Sequence, residues 1–207
     1  MDQQITRCAW RGMAGVDIYE AYHDTEWGVP ERDSRALWEK LVLDGFQAGL
    51  SWITILKKRE AFRAAFDNFD PQIVARYSEA DRARLMADAG IIRSNAKIDA
   101  AISGARLYLD MQQRGEDLAQ FLWTFTDGKP LQNGFEVQGQ VPAQTPLAVD
   151  MAKALKSKGF KFCGPVIVYA FMQAVGITND HLVNCFRYDE VKRLGAQFKG
   201  IDLSIFA

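Results

Sequence analysis

Asp44 is the acid in this sequence whose surroundings ask for an explanation. It follows Leu41, Val42 and Leu43 and precedes Phe46, so an apolar run carries one carboxylate. An acid there is costly to bury without a partner. Gly45, Gly49 and Trp52 come next, then Lys57, Lys58, Arg59 and Glu60. Trp52 offers a flat face, and the cations offer charge to a phosphate. One reading is a pocket for a flat, polar, cationic ring beside a polyanion. The other is a buried helix with a satisfied Asp and a solvated end, the commoner case for these residues alone.

Metal chemistry is the second candidate. The chain has two histidines, His23 and His181, and three cysteines. His181 stands four residues before Cys185, a spacing that on a helix puts both side chains on one face. His23 follows Cys8 by fifteen residues, in a stretch with little helical pattern. Together Cys8, His23, His181 and Cys185 would make a closed Cys2His2 zinc site joining the two ends of the chain. Four protein ligands leave no open position, so such a zinc is structural and a zinc hydrolase is disfavoured. The alternative is that the cysteines are buried as small apolar residues. Cys163, in a hairpin, is read as a core thiol.

That hairpin is Gly159-Phe160-Lys161-Phe162-Cys163-Gly164. The amides after Gly164 open a helix, a natural anion site. Lys153, Lys156, Lys158 and Lys161 surround it. Helix, Gly-bounded hairpin and helix with nearby lysines is the form of a phosphate grip that reads no base sequence, with Lys161 and Gly164 as its backbone contacts. An ordinary corner between helices with a solvated lysine face fits as well.

The elements that must position these groups read as helices, and the fold class is all-α. Asp33 and Ser34 can cap a helix whose Leu37, Trp38, Leu41 and Val42 share a face. Ser78 and Asp81 form a capping box for a short helix ending near Gly90. A long helix runs from Ser94 to Gly115, with Ile98, Ala101, Ile102, Ala105 and Leu109 as its stripe. Residues 127–145 read as a surface loop. Thr145-Pro146 starts a helix that Gly159 ends, and Gly164-Pro165 opens another that closes at Gly176. A last helix is expected from near Thr178, and a tail over 188–207 with a further amphipathic turn or two.

At 207 residues the chain suits a single domain over 1–207, undivided or in two lobes with the pocket between them. A formal net charge of −1 confines any nucleic-acid contact to a local patch. The first residues lack the apolar core of a signal peptide, and the longest apolar stretch, Pro165 to Met172, is too short to span a bilayer. With three cysteines, this points to a reducing compartment without disulfides and to a cytoplasmic, monomeric protein.

With these pieces placed, the sequence resembles the 3-methyladenine DNA glycosylase I family, a branch of the helix-hairpin-helix glycosylases. The strings that carry the likeness are RCAW at 7–10, AYHDTEWGVP at 21–30, QAGLSWITILKKRE at 47–60, DAGIIRSNAKI at 88–98, GFKFCGP at 159–165 and NDH at 179–181. The resemblance implies zinc on Cys8, His23, His181 and Cys185. It implies a base pocket of Tyr22, Asp44 and Trp52 with Trp10 and Trp27 nearby, and a DNA wedge at Gly49 and Leu50. The implied activity is monofunctional excision of a flipped-out 3-methyladenine from double-stranded alkylated DNA in base excision repair. Asp44 and Tyr22 would be the catalytic residues. Two positions depart from the family pattern, Asp44 where it has Glu and Phe46 where it has Gln, both expected at the pocket. The superfamily's catalytic Asp before the last helix falls on Asn179, beside Asp180. No lysine fills the hairpin position of lyase-type relatives. The alternative is a non-catalytic binder of alkylated or damaged DNA on the same fold.

Overall fold

Burial of one helix organises the chain. In a computed structural model, which describes residues 5–199, Asp33 accepts a hydrogen bond from the Ala36 amide at 2.8 Å and opens that helix over Ser34–Gln47. In chain order the helices are α1 Asp17–Thr25, α2 Ser34–Gln47, α3 Trp52–Leu56, α4 Arg59–Ala65, α5 Pro71–Val74, α6 Glu79–Ala87, α7 Asn95–Gln113, α8 Leu118–Trp123, α9 Pro146–Lys158, α10 Pro165–Ala174 and α11 Tyr188–Gln197. α2 packs against α3, α7, α8 and α10, and its Leu37, Trp38, Leu43 and Phe46 lie in the main core. Among the described residues no helix is long and apolar enough to cross a membrane.

Where local signals were explicit, they form the expected structure. The Ser78–Asp81 capping box opens α6. Thr145 caps α9 through the Ala148 amide, and Gly159 closes it in the left-handed region, which a residue with a Cβ rarely adopts. α7 carries Ile98, Ala101, Ile102 and Ala105 fully inward, with Leu109 only partly buried.

Three expectations fail. Residues 17–25, read as having little helical pattern, form α1, which buries Tyr22 and His23 one after the other. The loop over 127–145 contains a short strand, β1 (Leu131–Gln132). No helix starts near Thr178: Thr178–Asn179 is instead strand β2, parallel to β1. Long-range hydrogen bonds decide this last case, because Leu131 N donates to Ile177 O at 2.9 Å and Asn133 N to Asn179 O at 3.2 Å. Gly176 makes the turn into β2 at φ +70°, where a Cβ would stand 2.4 Å from the Pro30 nitrogen. The tail forms α11 up to Gln197, and residues 200–207 lie outside the described part.

A second, smaller apolar cluster gathers Cys8, Tyr22, Trp27, Leu56, Ala174, Leu182 and Cys185. It joins the N-terminal segment to the chain after β2.

Candidate functional site

Between the two clusters lies a cavity of ≈ 550 Å³ whose lining includes Trp10, Tyr22, Trp27, Asp44 and Trp52. Three separate stretches supply them. Trp10 and Trp27 meet edge to face at 4.6 Å, and the Tyr22 and Trp52 rings are 5.3 Å apart, tilted by 44°. Asp44 is 1% exposed. The five expected pocket residues are therefore brought together.

Phe46 is not among them. It packs edge-on into the core against Phe62 at 4.8 Å and Phe66 at 5.8 Å. Two positions along a helix turn the side chain about 200° away, so Asp44 and Phe46 cannot share a face, and Gln47 lines the cavity instead.

Sequence reasoning missed the partner of Asp44. Lys40, one helical turn earlier on α2, makes an ion pair with Asp44 Oδ1. Its ammonium also stands 3.9 Å from the centre of the Trp52 ring. Spacing of i, i+4 on a helix was the available signal. Burial pushes Lys40 down and Asp44 up, each toward its neutral form, against the mutual attraction that opposes both shifts. Burial also raises the Tyr22 hydroxyl, with the Asp44 charge adding to it. Two buried polar atoms of the lining residues have no hydrogen-bond partner among the described residues: Asp44 Oδ2 and Trp52 Nε1.

Asp180 also lines the cavity. Its carboxylate accepts from Tyr169 Oη at 2.5 Å, Gln173 Nε2 at 2.7 Å, Asn133 Nδ2 at 2.8 Å and Thr178 Oγ1 at 2.8 Å. Four donors use the lone pairs a carboxylate has, so Asp180 is a structural anion and has none left to take a proton from water. Asn179, its neighbour, faces the fold: its amide donates to Gln132 Oε1 at 3.0 Å and to the Tyr188 carbonyl at 3.2 Å.

Behind the aromatic wall, Cys8, His23, His181 and Cys185 are all buried with their ligand atoms within 4.8 Å of one another, a group that could hold a metal ion. His181 and Cys185 do not share a helix; the turn after β2 brings them to the same point. Each histidine is oriented by its outer nitrogen. His23 Nδ1 donates to Asp24 at 2.8 Å, and Asp24 in turn accepts from Arg7 at 2.7 Å. His181 Nε2 donates to the Trp27 carbonyl at 3.0 Å. That leaves His23 Nε2 and His181 Nδ1 facing the sulfurs, the arrangement that suits metal-binding histidines. The neighbouring Cys185, together with burial, raises the Cys8 thiol, while hydrogen bonds from Cys8, His181 and His23 lower that of Cys185.

Gly49 and Leu50 form the turn between α2 and α3, with Leu50 exposed. Lys97 of α7 fixes that turn by donating to the Phe46 and Ala48 carbonyls at 2.8 and 2.7 Å. Sequence reasoning missed this role too. Lys161 is exposed and Gly164 caps α10. Of the other hairpin lysines, Lys158 is paired with Glu116 and Lys153 with Asp150.

This fold matches solved structures of 3-methyladenine DNA glycosylase I. One superposes with a TM-score of 0.85 at 51% identity, covering 87% of this chain and 98% of the other. Another, from Staphylococcus aureus and concerned with the structural basis of 3-methyladenine recognition, gives 0.80 at 39%, with 83% and 91% covered. The DNA-3-methyladenine glycosylase 1 of Escherichia coli (strain K12) is 50% identical over 184 residues, 89% of this chain and 97% of that one. The chain belongs to the methyladenine glycosylase family, whose model matches residues 12–188.

Proposed function

We propose that this chain extrudes an alkylated adenine from double-stranded DNA into the cavity between Trp10, Tyr22, Trp27 and Trp52 and hydrolyses its glycosidic bond there. It is a 3-methyladenine DNA glycosylase, a hydrolase of N-glycosyl bonds. The carrying observation is that Asp44 Oδ2, buried in the cavity lining, lacks a partner among the described residues. The amino group on a planar base edge supplies the missing donor, whereas leaving the oxygen unmet is costly.

The chemistry asks little of an acid. Methylation at N3 makes adenine cationic and a good leaving group. Trp52 favours a stacked cation by about 0.5–2 kcal/mol. Asp44 accepts from the base edge with its charge complementing the ring, and Tyr22, neutral at any working pH, packs beside it. The base must leave the stack to be reached at all. Leu50, exposed on its turn, is placed to fill the gap it leaves. The amides after Gly164 and the exposed Lys161 hold a backbone phosphate on the helix-hairpin-helix element, with no reading of sequence. Asp180 is fully hydrogen-bonded, so attack by water relies on electrostatic stabilisation of the sugar cation more than on a committed base.

In the same reading the Cys/His cluster holds one Zn2+ per chain. A tetrahedral zinc separates a sulfur and a nitrogen ligand by about 3.6 Å. The separations are 3.6 Å for Cys8 and His181, 3.6 Å for Cys185 and His23, and 3.5 Å for Cys185 and His181. With four protein ligands the ion would supply rigidity: Cys8, His23, His181 and Cys185 would tie the N-terminal segment and α1 to the turn after β2, so that Trp10, Tyr22 and Trp27 form one wall.

Chromatography of bases released from a methylated duplex tests the activity. Free 3-methyladenine is expected. Retention of the duplex without release would favour the non-catalytic binder.

A further inference from the structure

Lys40 occupies the place a base should take. Its ammonium pairs with Asp44 and stands 3.9 Å from the Trp52 ring centre. Those are the two groups assigned above to a cationic base, one by charge and one by its π face. On the face of Trp52 that Lys40 covers, a ring at 3.4–4 Å and the ammonium cannot both be present, because each needs the same van der Waals contact distance.

The side chain also has somewhere to go. Lys40 lines a second cleft, of ≈ 320 Å³, on the other side of the same wall. Glu26, Glu31 and Glu39 line it with only Arg59 and Arg63 as its other cations. Arg59 is paired with Glu26, and Arg63 with Glu39. An ammonium moving there exchanges one carboxylate environment for another. At 16% exposure against 1% for Asp44, Lys40 is the member of the pair nearer to solvent.

We infer that Lys40 is a specificity-determining residue that acts as an internal stand-in for the base, holding Asp44 and Trp52 in the empty enzyme and leaving for the neighbouring acidic cleft when a cationic base enters. The inference rests on the base site proposed above. Its consequence is selective. An entering ring must replace a positive charge at Asp44, which a methylated, cationic base does and an undamaged neutral base does not. Lys40 also keeps a counter-charge beside Asp44 between turnovers, so the carboxylate stays available to the next base despite its burial, which favours the neutral form.

Binding of 3,9-dimethyladeninium, a fixed cation with a methyl group where the sugar stood, to wild type, Lys40→Ala and Trp52→Ala at pH 8 is the test, read by quenching of tryptophan fluorescence and by calorimetry. Lys40→Ala removes the competitor and opens the pocket to water, which hydrates Asp44. If the site is self-occupied in nine molecules of ten or more, the variant binds at least about tenfold more tightly. Equal or weaker binding by Lys40→Ala, with Trp52→Ala losing the base, would overturn the stand-in while leaving the base site in place. Undiminished binding by Trp52→Ala would instead remove the base site itself. A second measurement uses wild type alone and needs no variant to fold. Acetylation of Lys40, followed by mass spectrometry, is expected to accelerate on saturation with the same cation. Slower or unchanged acetylation would mean that the base enters without displacing it.

Discussion

Lys40 and Asp44, one turn apart on α2, form an ion pair pressed against the ring of Trp52. It answers what a carboxylate does in an apolar run: Asp44 is satisfied on one oxygen by its own helix and left open on the other.

Asp44→Asn is expected to lower excision of 3-methyladenine by about tenfold or more, since a hydrogen bond to a charged group contributes roughly 1.5–3 kcal/mol. Asn also turns an amide donor toward the base's own amino group. Asp44→Glu should stay within about threefold of wild type, because Phe46 has packed into the core and leaves the extra methylene room. Single-turnover rates for both variants check this. An Asn variant equal to wild type would remove Asp44 from base reading.

The pH profile of kcat/KM, which reports the free enzyme, should carry Asp44 on its acid limb. Burial raises this carboxyl in the folded protein. As pH falls, it therefore takes up its proton earlier than an ordinary Asp, whose pKa is about 3.9, and activity is lost above that value. Asp44→Asn should flatten the limb. A limb that persists unchanged in the variant belongs to another group.

Metal analysis of protein purified without chelator should find one zinc per chain. Cys185→Ala should abolish it and lower Tm by at least about 5 °C, since the bound metal contributes to folding. Stoichiometric zinc in the variant, or no zinc in wild type, would contradict the assignment.

How much of this was legible in the sequence depended on where each element finds its partners. α2, α6, α7, α9 and α10 carry caps and periodic faces, so local chemistry alone announces them. α1 does not, because Tyr22 and His23 face a cavity and a Cys/His cluster instead of a continuous apolar core. Residues 178–187 were misread because their backbone is satisfied at long range: Val183 N donates to Phe135 O and Phe186 N to Thr6 O. A helical spacing of His181 and Cys185 led to the right cluster on a wrong element. In the site, residue types at Trp52 and Asp44 pointed to a pocket and the family resemblance added Tyr22, while Lys40 was passed over although its i, i+4 spacing was plain. Tyr169 and Gln173, which hold Asp180, were out of reach, since nothing local says that α10 and β2 share a wall.

Lys161→Glu should weaken binding to every duplex alike and reduce the salt slope of log K by about 1 or more. Lys161 is exposed, on the turn that leads into α10. Titrations at several salt concentrations, with damaged and undamaged duplexes, give the answer. A change in which lesion is removed, at unaltered affinity, would move the phosphate grip elsewhere.

The central claim is that the extruded base stacks on Trp52. Single-turnover release of free 3-methyladenine from a methylated duplex, with DNA binding followed in the same reaction, tests it for wild type and Trp52→Ala. A stacked base contributes about 1–3 kcal/mol, so release by Trp52→Ala should fall by about 5- to 150-fold while duplex binding holds. Full release by the variant would contradict the account and place the base elsewhere.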